Sequence, residues 1–259
     1  MIRLVVARNC GPTARVLTGL LEERGVPVGA GEGTVSWGVN LGGPRERTLN
    51  GAAGGADKLA QLRQLARAGI TTVPYIPREQ ALETGCRGFW DACIARKRQH
   101  HGGTDIRFCK TPQKALYWIQ RGWDFLSPIV PSRTEFRVWL YRGAHLGSYE
   151  KVQVRPRDAF TRDGKRRFGR NHRNGWVFQI VPADRVNREA VELARRAMDA
   201  LQLDFGAVDV LIGTDNRPYI LEVNTAPGVS AETSFVLNAL ADKIANWAKR
   251  GFRPRQREE

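Results

Sequence analysis

Apolar residues recur along this chain with two periods, and each period marks a different kind of element. Helical spacing puts Val16 and Leu20 on one face of a segment from Pro12 to Arg24, closed by Gly25. It puts Leu59, Leu62 and Ala66 on one face from Ala56 to Ala68, with Gly69 at the C-cap. A short helix is expected from Ala81. Thr111-Pro112 opens another helix, with Pro112 at the first helical position and Ala115, Leu116 and Ile119 as its stripe. Asn187 caps a helix that runs to Leu201 through Val191, Ala194 and Met198. A final helix from Ala231 to Lys249 turns Val236, Leu240, Ile244 and Trp247 inward.

Shorter runs read as strands: Ile2 to Ala7, Thr34 to Val39, Asp91 to Arg96, Asp124 to Val130, Glu135 to Tyr141, His145 to Val154 and Trp176 to Val181. Arg142-Gly143 and Asp163-Gly164 are turns. Two runs ending at Ile212 and beginning at Tyr219 flank Gly213-Thr214-Asp215-Asn216, which predicts a β-hairpin. The mixture is that of an α/β chain. Residues 1–55 form a small N-terminal lobe, and Gly51 to Gly55 is the expected hinge after it. Gly29-x-Gly31-x-Gly33 lacks the dinucleotide spacing and no long helix follows it, so it reads as a loop.

Composition narrows the class. At 259 residues and 42% hydrophobic, the chain is long enough for a sizeable core and has no run of apolar residues that would span a membrane. The opening run is too short and interrupted for a secretory signal, and a cytoplasmic location is expected. Cys10, Cys86, Cys93 and Cys109 lack CxxC or Cys/His metal spacing and read as reduced structural thiols. Charge changes the picture most. There are 41 Lys and Arg against 26 Asp and Glu, a net +15. From Arg133 to Arg173 twelve basic residues face four acidic ones, a field that attracts polyanions.

Candidate chemistry concentrates in the predicted hairpin. It sets Asp209 on one strand against Glu222 and Asn224 on the other, and residues two apart project from the same face. Two carboxylates and an amide oxygen form a hard oxygen site suited to magnesium or manganese, completed by substrate phosphates and water. Glu222 lies inside the apolar run Tyr219 to Val223, where an unpaired carboxylate would be costly.

The stretch from Asp209 to Gly228, D-V-L-I-G-T-D-N-R-P-Y-I-L-E-V-N-T-A-P-G, resembles the metal-binding signature of the ATP-grasp superfamily. It is similar to that of D-alanine–D-alanine ligases and of glutamate ligases that extend protein tails. The segment K-L-A-Q-L-R-Q-L-A-R-A-G-I-T-T-V-P from Lys58 resembles the opening of their nucleotide-binding part, and the likeness covers roughly residues 56–250. It implies an ATP-grasp fold, with nucleotide between two antiparallel-sheet lobes at 56–122 and 123–259. It further implies a carboxylate–amine ligase of the short type found among bacteria and their phages, using ATP and Mg2+ or Mn2+. Asp209, Glu222 and Asn224 would hold metal against the phosphates. Arg96, with Lys97 as second choice, and the loop bearing Gly102 and Gly103 would meet the phosphates, as would Lys151. Asp105 stands where many relatives carry glycine. The hinge at 124–129 would contribute Leu126 and Ser127, and Glu135 would bond the ribose. Arg137 would lie near the transferred phosphate. Arg170 and Asn171 resemble an Arg-x-Asn motif, with Arg170 as an acyl-phosphate clamp.

From the basic stretch, the expected substrate is an acidic peptide, a protein tail or another polyanion, approaching over Arg155, Arg157, Arg162, Lys165, Arg166 and Arg167. Two other readings compete: a basic nucleic-acid-binding protein whose ATP-grasp part is secondary or inactive, and an ATP-grasp phosphotransferase. No Walker loop or G-x-S-x-G elbow occurs, and adjacent His100 and His101 have no third ligand at metal spacing.

Overall fold

The structure, a computed structural model, describes residues 1–7, 11–39, 47–51, 57–87, 92–99, 105–159, 170, 172–228 and 234–252. Its N-terminal portion is a parallel sheet of β1 (Ile2–Val6), β2 (Gly33–Trp37) and β3 (Thr48–Leu49), with α1 (Gly11–Glu23) between the first two strands. α1 buries Thr13, Ala14, Leu17 and Leu21 rather than the expected Val16 and Leu20. Val16 is exposed. Leu17 and Leu21 are neighbours of Val16 and Leu20, so the apolar stripe is wide and its tertiary partners select the face. Gly25 closes the helix at φ +71°. Of the expected Gly51–Gly55 hinge only Gly51 is among the described residues. Beside it Asn50, at φ +57°, donates to Phe205 O and accepts from the amides of Asp204 and Phe205, bolting the end of β3 to a distant strand.

α2 (Lys58–Arg67) starts at Asp57, whose carboxylate caps the Ala60 amide at 2.9 Å. It buries Leu59, Leu62 and Leu65, while Ala66 faces out. A four-stranded antiparallel sheet follows. It comprises β4 (Ile76–Pro77), β5 (Cys93–Arg96), β6 (Ile106–Cys109) and β7 (Phe125–Pro128), in the order β4-β7-β5-β6. The helices α3 (Arg78–Glu83) and α4 (Pro112–Gln120) accompany it, α4 capped by Thr111 and carrying Pro112 in its first turn as expected. Ala115 and Ile119 of α4 share a core with Cys86, Cys93, Ala95, Cys109 and Leu126. Cys86, Cys93 and Cys109 are free and buried; Cys10 lies outside the described residues. β6 was not expected, and β7 pairs with β4 and β5 rather than with the strands that follow it.

The third sheet is antiparallel, in the order β10-β9-β8-β11-β12: β8 (Ser132–Tyr141), β9 (Ala144–Gln153), β10 (Trp176–Ile180), β11 (Phe205–Gly213) and β12 (Pro218–Asn224). Positive φ at Arg142 and Gly143 makes the β8–β9 hairpin turn. α5 (Arg188–Ala200), capped by Asn187, covers one face. There Val191, Ala194 and Met198 meet Val138, Leu140, Val208, Val210 and Ile220. Strand alternation sends the intervening residues to the other face, which is divided along its length. At one end Trp139, Tyr141, Tyr149, Phe205 and Ala207 form a core with α1, β1, β2 and α6 (Ser234–Lys249), whose Val236, Leu240, Ile244 and Trp247 are buried as expected. Beyond that core, the same strands carry charged side chains.

Candidate functional site

The hairpin of β11 and β12 has the expected register, with Asp209 directly opposite Glu222. The pairing then shifts: Val210 faces Ile220, leaving Leu221 as an extra residue on β12. This bulge lets both Ile220 and Val223 join the core beneath α5 while Glu222 and Asn224 share the opposite face. The Asn224 amide donates to Glu222 Oε1 at 3.2 Å. Asp209, 2% exposed, completes a group of three oxygen-bearing side chains.

Cations surround that group. Arg137, opposite Asp209 on β8, donates to both carboxylate oxygens at 2.6 and 2.8 Å. Lys151 on β9 donates to Glu135 and lies 3.8 Å from Asp209. Arg170 is 3.9 Å from Glu135 and donates to the Ser132 hydroxyl at 2.6 Å. Glu222 receives Lys58 from the first turn of α2 and lies 3.9 Å from Arg96 at the end of β5. Aromatic rings support these cations: Phe178 under Arg137 at 4.4 Å, Phe125 beside Arg96 at 5.3 Å, and Trp176 beside Arg170 at 5.0 Å.

The electrostatics follow from burial and pairing. Burial would raise the Glu222 carboxyl, but Lys58 and Arg96 outweigh it and hold it well below the usual carboxylate range. At Glu135 burial prevails over Lys151, and the pKa is raised. Burial would depress Arg137 and Lys151, yet Asp209 and its neighbours carry both upward. Arg96 is lowered by burial against the pull of Glu222.

Eight sequence-derived candidates therefore converge: Asp209, Glu222, Asn224, Glu135, Arg137, Lys151, Arg170 and Arg96. Lys97 does not join them. Strand alternation turns it away from Arg96, onto the Gly122 carbonyl and the Trp123 ring. Leu126 and Ser127 are buried in β7; the Ser127 hydroxyl has no hydrogen-bond partner among the described residues. Gly102, Gly103 and Asn171 lie outside the described residues, as do Arg162, Lys165, Arg166 and Arg167.

Lys58 was not singled out for this site by sequence. A signal was present, because a lysine in the first turn of a helix opposes the positive end of its dipole and calls for a partner. That partner is 164 positions away.

Among the described residues no group of three or more His, Cys, Asp and Glu side chains is arranged for a metal. Two carboxylates and an amide suit an ion that leaves part of its shell to phosphates and water, as magnesium does.

A model of the RimK-like ATP-grasp domain matches residues 158–248. A D-alanine–D-alanine ligase of Paraburkholderia phytofirmans is 54% identical over 39 residues, 15% of this chain and 12% of that protein. One from Bordetella petrii is 39% identical over 59 residues, 22% of this chain and 18% of that protein. The aligned part thus spans less than a fifth of either curated relative. The ATP-grasp ligase PsnB, solved with a minimal precursor, superposes with TM-score 0.66 at 14% identity, covering 95% of this chain and 98% of that one. D-alanine–D-alanine ligase from Bacillus anthracis gives 0.65 at 12% identity, with the same coverage.

Proposed function

From an ATP-grasp fold that carries a RimK-like ATP-grasp domain, we propose that this chain is an ATP-dependent ligase joining a carboxylate to an amine through an acyl phosphate. The observation that carries the reading is the convergence of Asp209, Glu222 and Asn224 with Lys58, Arg96, Arg137 and Lys151 on one sheet face. A divalent ion held by Asp209, Glu222 and Asn224 would neutralise phosphate charge and orient the transferred group. Lys58, Arg96 and Lys151 bind and orient the triphosphate. Arg137 stabilises charge on the group in transfer, and Arg170 holds the acyl phosphate that forms when the substrate carboxylate attacks the terminal phosphorus, breaking its bond to the bridging oxygen and releasing ADP. The amine then displaces phosphate, leaving an amide. Glu135 accepts from the ribose hydroxyls, and Ser127 supplies a free hydroxyl on the hinge strand.

The carboxylate substrate is an acidic peptide or protein tail. The basic excess from Arg133 to Arg173 supports this, as does the precursor peptide with which PsnB has been solved. The test is ADP release with Mg2+ across amino acids and acidic peptides, followed by mass spectrometry of the product. An amide product is expected. A phosphoester would convert the reading to a phosphotransferase, and absence of ADP release with every acceptor would remove it.

A further inference from the structure

Residues on the outer side of α4 form a second charged surface that the proposed reaction does not use. Lys114, Tyr117, Trp118 and Arg121 are spaced three and four apart, so they lie on one stripe; Lys114, Tyr117 and Arg121 are exposed, and half-buried Trp118 packs inward against the core of Ala115 and Ile119. The Arg121 guanidinium lies 3.6 Å from the centre of the Tyr117 ring, which meets the Trp118 ring at 5.1 Å. Trp118 packs on Trp123 at 4.7 Å. Lys114 contacts the first two rings, Arg107 the Trp118 and Trp123 rings, and Lys97 the last. Cation–ring pairs of useful strength occur on the order of once per 70–80 residues in proteins, yet four cations engage rings between positions 97 and 123.

No carboxylate among the described residues lies within ion-pairing distance of Lys97, Lys114 or Arg121. The face is also separate from the carboxylate cluster, because successive residues Arg96 and Lys97 leave β5 on opposite sides. We propose that this surface, with Tyr117, Trp118 and Trp123 interleaved among Lys97, Lys114 and Arg121, docks single-stranded nucleic acid. A single strand alternates phosphates with flat bases, and the face alternates cations with ring and guanidinium planes. An acidic peptide would satisfy the cations but offers no flat group to stack on the exposed Arg121 guanidinium, whose other side rests on the Tyr117 ring. A duplex keeps its bases stacked inside and fits less well.

The test is fluorescence anisotropy of the full chain with three labelled probes: dodecathymidylate, an abasic strand of equal phosphate number, and a glutamate dodecamer. The thymidylate should bind at least about tenfold tighter than either other probe, since stacking adds to charge. Tyr117→Leu should remove that preference and Tyr117→Phe keep it, both at the melting temperature of wild type. Arg121→Ala should reduce the log affinity–log salt slope by about 0.7, one phosphate contact on a single strand. Equal binding of the abasic strand, tighter binding of the glutamate dodecamer, or indifference to Tyr117→Leu would each overturn the proposal.

Discussion

The two groups of cations in this chain are held by different partners. Around the β11–β12 hairpin, Lys58, Arg96, Arg137, Lys151 and Arg170 all reach a carboxylate, and each side chain is at most 24% exposed. On the outer side of α4, Lys97, Lys114 and Arg121 rest on aromatic rings. Desolvation explains the difference. A buried cation without an anion is expensive, whereas one at the surface keeps its water and gains modestly from a ring face. In the cluster five cations meet three carboxylates, Glu135, Asp209 and Glu222, so positive charge remains in excess. The pairing holds the side chains in position, and under the proposed function the excess would attract an anionic nucleotide.

Removing one partner of a buried pair should therefore have the largest effect. Arg137→Met leaves Asp209 without its two short bonds, and denaturant unfolding should report a loss of about 3–5 kcal/mol. Adding Asp209→Leu should recover most of that stability. If the single variant unfolds like wild type, the cluster is not held together by pairing.

Next in size, Glu222→Gln and Asn224→Ala should slow ADP release by about 100- to 1000-fold while near-UV circular dichroism stays native, because charge development in the transition state loses its preorganised partner. Unchanged release by both would move the metal-binding role away from the hairpin.

Glu135→Ala should weaken ATP binding by about 1.5–3 kcal/mol in calorimetry, the value of a charged hydrogen bond. Wild-type affinity would assign Glu135 to holding Lys151 and nothing more. Smallest of all, Lys114→Ala and Arg121→Ala should each cost under about 1 kcal/mol of stability. A larger loss would erase the contrast between the two groups.

Much of this arrangement was readable locally. Turn residues 213–216 and the alternation around them located Asp209 opposite Glu222, and Asn187, Thr111 and Gly25 marked helix ends through side-chain capping or backbone conformation. Long-range choices were not readable. The faces of α1 and α2 depend on which neighbours cover them, since Leu17 or Val16, and Leu65 or Ala66, satisfy helical spacing equally well. β6 is only four residues long and follows a basic, glycine-bearing stretch whose chemistry suggested a loop throughout. β7 forms a strand as its composition predicts, but nothing local says that its partners are β4 and β5. Lys58 needed a carboxylate from the far end of the chain before its position became meaningful.

The extra residue at Leu221 gives the hairpin one position that is indifferent both to spelling and to loss. Leu221 packs near Leu59 and Phe125, where another apolar side chain would serve. Deleting it closes the bulge: Ile220 then precedes Glu222 directly, and strict alternation keeps Val223 toward α5 and Glu222 and Asn224 on the charged face, with Asp209 still opposite Glu222. Asp209, Glu222 and Asn224 keep one face, so the variant should still release ADP. An in-frame loss of this codon therefore spares the site, as many substitutions at it do, whereas loss of the codon for Val223, which would turn Asn224 toward α5, acts as a null allele.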